Sequence, residues 1–158
     1  MTITDAERII TFTENYNKHF SELLSLLTQK QSKVVEDDLM WLLDSLVDEQ
    51  KLVMRGNSLE AKRLALLLEL GYENPKMNTL ISDCPDELKG KMTLEFSTLE
   101  HFVKRIKALN ADITDLIEHK LSFQWENMKK SGYTPADTYN VSGEKISNRG
   151  GGGIIGEG

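Results

Sequence analysis

His101 and His119 each follow a glutamate directly, Glu100 and Glu118, and these pairs are the nearest the chain comes to a metal-binding constellation. A carboxylate-bridged di-metal centre in a helical bundle needs inward glutamates and a Glu-x-x-His pair, because residues three or four apart share a helix face. Adjacent residues face different ways, and no Glu-x-x-His occurs, so both histidines read as surface or boundary residues. Cys84 stands alone, which rules out an intramolecular disulfide and a cysteine-based zinc site. Beside Pro85 and without a histidine near it in sequence, it reads as an inert thiol suited to a reducing compartment. The run Gly150 to Gly153 superficially resembles a phosphate loop, but neither a strand before it nor a helix after it is expected. Hydrolase and zinc-protease motifs are also missing, so no catalysis and no cofactor are expected.

Composition narrows the class further. At 158 residues the chain allows one domain with a sizeable core. With 39% hydrophobic, 28% charged and 7% aromatic residues, helical packing suits it better than a thick globular core. A net charge of -6 argues against nucleic acid, whose phosphates require a clustered basic surface. The N-terminus carries Asp5 and Glu7 where a signal peptide needs a basic and then an apolar stretch, and no long uncharged apolar run follows. A soluble, cytoplasmic protein without membrane insertion is expected.

The elements that would position any functional residue are helices. Thr4 or Asp5 can cap the first, in which Ile9, Phe12, Tyr16, Phe20, Leu23, Leu24 and Leu27 recur at steps of three and four. The polar stretch Thr28 to Lys33 is a weak break, where the chain either bends or turns back. Leu39, Leu42, Leu43, Leu46, Val47, Gln50 and Val53 then continue the pattern. Gly56 followed by Asn57 and Glu60 reads as a helix C-terminus and a new capping pair, hence a tight corner before a third helix carrying Leu59, Arg63, Leu66, Leu67 and Leu70. Gly71 and Asn74-Pro75 end that helix, and residues 71–85 read as irregular with a short helical turn from Met77 to Ile81. The acid clusters Glu36-Asp37-Asp38 and Asp86-Glu87 suit helix first turns, where negative charge complements the dipole. Trp41 reads as packing.

From Pro85 to about Lys130 a fourth helix carries Leu88, Met92, Leu99, Phe102, Ile106, Leu109, Ile113, Leu116, Ile117 and Leu121 in near-heptad order. At roughly 1.5 Å per residue it spans about 60 Å, more apolar stripe than three shorter helices can cover. The distal set Leu109, Ile113, Leu116, Ile117, Leu121 and Trp125 is therefore the candidate surface for a partner's amphipathic helix. Trp125 fits packing and an exposed surface equally. Homodimerisation through the same stripe is the alternative use. Beyond Ser131-Gly132 the chain is too glycine-rich for regular structure, yet it holds Tyr139, Ile154 and Ile155, as a docking segment would. The expected organisation is a helical bundle domain over 1–131 and a flexible docking tail over 132–158.

Asp48 to Glu60, with its Glu49-Gln50 and its apolar run into Gly56, resembles a corner of the FlgN-type flagellar export chaperones. Leu109-Asn110 followed by Leu116-Ile117 is similar to that family's last long helix. In the tail, Tyr139 and Gly143, then Ser147-Asn148-Arg149-Gly150-Gly151, resemble the family's terminal Tyr-x-x-x-Gly and Ser-x-Arg-Gly-Gly. The resemblance covers most of residues 34–155. It implies an all-α antiparallel bundle or coiled-coil hairpin with one long C-terminal helix and a disordered tail. It further implies a cytoplasmic chaperone of flagellar type III secretion that keeps hook-filament junction (hook-associated) proteins soluble. In that family the last helix and tail bind the client, and the tail tyrosine is implicated in docking on the cytosolic domain of the export gate, which makes Tyr139 the docking residue. The alternatives are a generic coiled-coil adaptor or homodimeric structural protein and, more distantly, a metal-dependent bundle enzyme.

Overall fold

The computed structural model describes residues 1–132 and, beyond them, the backbone of 137–139 and 145–147. Two compact units make up the chain, Met1–Ile117 and Glu118–Gly158. The first begins at Thr2, which caps α1 (Ile3–Val35) in place of the expected Thr4 or Asp5. Thr2 Oγ1 accepts the Asp5 N–H at 3.1 Å, while the Asp5 carboxylate accepts the Thr2 N–H at 3.0 Å. This reciprocal box satisfies two orphan amides at once. The helix then passes through the polar stretch 28–33, because Leu27 and Val34, two turns apart, keep one face in the core.

Reversal comes at Glu36–Asp38, so the chain turns back and does not bend. Asp37 takes a left-handed φ of 57°, which a short acidic side chain tolerates. Asp38 accepts the Trp41 N–H at 3.1 Å and caps α2 (Leu39–Glu69), the end at which an acid suits the dipole. The corner expected at Gly56-Asn57 is absent: α2 runs unbroken through it. Gly56 is instead a point of close approach, where a Cβ would lie 2.9 Å from Nε2 of His19 on α1. Glycine ends a helix only when no neighbour requires its smallness, and sequence periodicity does not carry that information.

The end of α2 follows expectation. Gly71 has a φ of 85°, the Tyr72 N–H reaches Leu67 O at 2.8 Å and the Gly71 N–H reaches Leu68 O at 3.0 Å, a Schellman closure. A short α3 (Met77–Asp83) leads to α4 (Asp86–Lys130), whose first backbone bonds run to the Pro85 carbonyl. The expected all-helical bundle is thus present.

Two clusters hold the first unit together. In one, Ala6, Ile9 and Ile10 of α1 meet Leu67, Leu80, Cys84, Met92 and Phe96. In the other, Leu27 and Val34 meet Ile106 and Ile113, with Leu23, Leu24, Leu42, Leu109 and Leu116 packed around them. Early α1 pairs with early α4 and late α1 with middle α4, so these helices run parallel, while α2 runs antiparallel to both. Asn17 pins α1 to α4 by donating to the Glu95 carbonyl at 3.1 Å and to its carboxylate at 2.8 Å.

The second unit contains the end of α4 from Glu118, closed by Gly132 at a φ of 80°. Where the sequence suggests no regular structure, β1 (Asp137–Tyr139) and β2 (Lys145–Ser147) pair antiparallel, with Thr138 opposite Ile146 and Tyr139 opposite Lys145. Thr, Tyr and Ile favour strands, and the four-glycine run lies outside the pair. That run, the rest of the proposed tail motif, and the side chain of Tyr139 fall outside the described residues.

Candidate partner-binding surfaces

An apolar groove of about 350 Å³ opens in the first unit, lined chiefly by Phe12, Tyr16, Phe20, Leu66, Met77 and Leu99. Its edge is polar. Arg63, which sequence spacing placed in an apolar stripe, forms a two-pronged pair with the Glu60 carboxylate at 2.7 and 2.8 Å, and Tyr16 donates to the same carboxylate at 3.1 Å. The guanidinium holds the Glu60 carboxyl below its usual range, while burial and then the Glu60 carboxylate push the Tyr16 phenol up to about 12. Glu60 therefore ties α1 to α2 in place of the capping role expected of it. A fixed, mutually satisfied ion pair has no proton to offer at neutral pH, so this rim orients packing and supplies no acid or base.

Further along the same interface, His19 is 2% exposed and seated on Gly56. Its Nδ1 accepts the Arg55 Nε–H at 3.1 Å, and Arg55 in turn pairs with Glu22. Burial, then the Arg55 charge, hold the imidazole below its ordinary 6.5. The unfolded chain therefore takes up this proton before the folded one, and stability present above pH 6.5 is lost as the pH falls through 6.5 toward the folded value. Thermal unfolding midpoints should drop on going from pH 7.5 to 5.5. The conservative His19→Gln variant, which can still accept from Arg55, should flatten that slope; an unchanged slope would exclude His19 as its source.

The residues expected to bind a partner divide by burial. Ile113 is 4% exposed, and Leu109 and Leu116 are half-buried against the same cluster, so all three serve the bundle core. Ile117, the last residue of the first unit, is 38% exposed. In the second unit Leu121 is 60% and Trp125 43% exposed, and Met128 continues their stripe at i, i+4, i+7. Phe123, exposed on the opposite side of the helix, went unnoticed in the sequence because it falls outside the heptad. Lys129 lies over the Trp125 ring at 5.3 Å. The Trp125 ring is thus a surface feature and takes no part in core packing.

A second apolar face was also missed. Leu39, Met40, Leu43, Leu46, Val47, Val53 and Met54 of α2 are all more than half exposed, although most of them belong to the apolar pattern of the sequence. Leu42, Ser45, Leu67 and the Gly56 contact show that α2 turns a different side inward.

His101 and His119 are exposed, as expected. Among the described residues no group of three His, Cys, Asp or Glu can hold a metal ion. Cys84 is buried, which pushes its thiol up and away from the reactive thiolate. No described helix is long and apolar enough to cross a membrane.

No curated protein and no solved structure matches the chain. The family comparison is extensive: residues 1–145, from the α1 cap to the start of β2, match the FlgN protein family. A four-helix chain with a long last helix, exposed apolar stripes and this match over nearly its whole length belongs to the FlgN family of flagellar export chaperones.

Proposed function

We propose that the protein is a cytoplasmic chaperone that binds hook-associated (hook-filament junction) proteins, keeps them soluble, and delivers them to the export gate. The observation that carries this reading is the exposed stripe Leu121, Trp125 and Met128 on the last turns of α4. An unpolymerised axial protein exposes an apolar helical terminus that self-associates, and an apolar helix face that covers it reversibly suppresses that route. In this reading residues 132–158 form a docking tail, with Tyr139 as the contact for the cytosolic domain of the gate.

Purified full-length chain should retain hook-associated proteins in a pull-down and should bind the isolated gate domain. Removing residues 132–158, or the single change Tyr139→Ala, should abolish or strongly weaken gate binding while the helical circular dichroism stays unchanged. Gate binding at the wild-type level in Tyr139→Ala would remove that residue from the docking role. An adaptor built on helices alone would keep every partner after the truncation.

A further inference from the structure

We propose that the pair of strands β1 and β2 docks by strand addition, the open edge of β1 (Asp137–Tyr139) pairing with an exposed edge strand of a partner's own sheet. This rests on the export-gate reading above and names the mode of that contact. Among the described residues β1 and β2 form a sheet of two strands that no third joins, so each strand has one edge paired and one open. Their register sets Asp137 opposite Ser147, Thr138 opposite Ile146 and Tyr139 opposite Lys145. In such an antiparallel pair the backbone N–H and C=O groups of successive residues point alternately toward the neighbouring strand and away from it. The row that points away is satisfied by water or by another extended backbone.

Length and residue type select the occupant and the edge. Strands of three residues supply few ladder bonds, and a two-stranded sheet is marginal in water, so a third strand is what this pair lacks. β1 contains Tyr139, the proposed gate contact, whereas β2 opens with Lys145, a residue type that native proteins place on edges to blunt pairing. Docking through β1 joins main-chain bonds, which give affinity whatever the side chains, to one specific aromatic residue. A contact made by the Tyr139 side chain alone would leave the outward backbone groups of β1 to water.

Proline tests the backbone directly, because it removes one N–H and adjacent residues aim theirs in opposite directions. Of Asp137→Pro and Thr138→Pro, one removes a bond within the pair and the other a bond to the partner; hydrogen exchange of the free chain tells which amide is open. A proline on an open edge is tolerated by the pair itself, so loss of binding there reports the partner's strand. In the full chain that variant should bind the isolated cytosolic gate domain about tenfold or more weakly than alanine at the same position, by isothermal titration with unchanged helicity. Affinity equal to that of the alanine variant would overturn strand addition. In the wild type, the gate domain should slow exchange of the Asp137, Thr138 and Tyr139 amides alike. Binding that leaves the open amide exchanging at its free rate would remove strand addition and keep the gate reading. A wild-type chain that does not bind the gate domain at all would remove both.

Discussion

Gly56→Leu should destabilise the protein by about 3 kcal/mol in equilibrium denaturant unfolding, the upper end of what overpacking a close contact costs. A Cβ at this position already comes within 2.9 Å of His19 Nε2, and the larger side chain adds three more carbons in the same direction. The imidazole has little room to retreat, because it is buried and its other nitrogen is held by Arg55. Helix propensity works the other way, since leucine is better than glycine in a helix interior by about 0.5–1 kcal/mol, so the steric term must outweigh that gain. Gly90 is the control: it is helical, and a Cβ there meets nothing within 4 Å. Gly90→Ala should therefore raise stability by about 0.5–1 kcal/mol. Pairing Gly56→Ala with His19→Ala should recover part of the Gly56→Ala loss. A Gly56→Leu protein as stable as wild type would mean that α1 and α2 do not approach closely here.

The second large effect separates core from partner surface on α4. Leu121→Asp/Trp125→Asp should reduce affinity for a hook-associated protein by about a hundredfold or more, since a few apolar and aromatic anchors carry most of the energy of such an interface. Stability should stay within about 0.5 kcal/mol of wild type, because both side chains are exposed. Ile113→Ala, eight residues before Leu121, should behave in the opposite way. It opens a void among Leu27, Val34 and Ile106 and should cost about 2–4 kcal/mol. Isothermal titration and denaturant unfolding on the same preparations distinguish the two cases. Wild-type affinity in the double aspartate variant would refute the proposed client face.

Much of the architecture is legible in the residues. The stripes of α1 and α4, the closure at Gly71, the first-turn acids Asp86 and Glu87 of α4 and the late helix end near Lys130 all depend on neighbours within one or two turns and appear close to the expected positions, while the acids before α2 leave only Asp38 at the helix, as its cap. The FlgN-type motifs were legible for the same reason, being short runs of specific residues. Less legible was the difference between Gly56 and Gly71. Both glycines stand next to polar residues after an apolar run; the first accommodates His19 and the second takes a positive φ.

The candidate surface divides in the same way. Sequence marked Leu109, Ile113, Leu116, Ile117, Leu121 and Trp125 as one continuous stripe, and on the helix they do form one. Burial separates them: Ile113 is packed in a cluster of the first unit, whereas Leu121 and Trp125, in the second, are exposed. On α2 the chain carries apolar residues on two sides, and periodicity cannot show which side faces inward. Arg63 falls in the helical stripe with Leu59, Leu66 and Leu70, yet it turns that way for the sake of Glu60, one turn before it, and Tyr16 on a different helix.

By itself the sequence determined the helical class, the rough length and ends of most elements, the family and the lack of a recognisable catalytic motif, because these are set by local spacing and residue type. Tertiary structure alone decided that α2 is one helix, which of its faces is buried, that His19 sits against Gly56, and which apolar residues of α4 remain open to a partner. Those outcomes depend on distances between residues tens of positions apart, to which helical periodicity is blind.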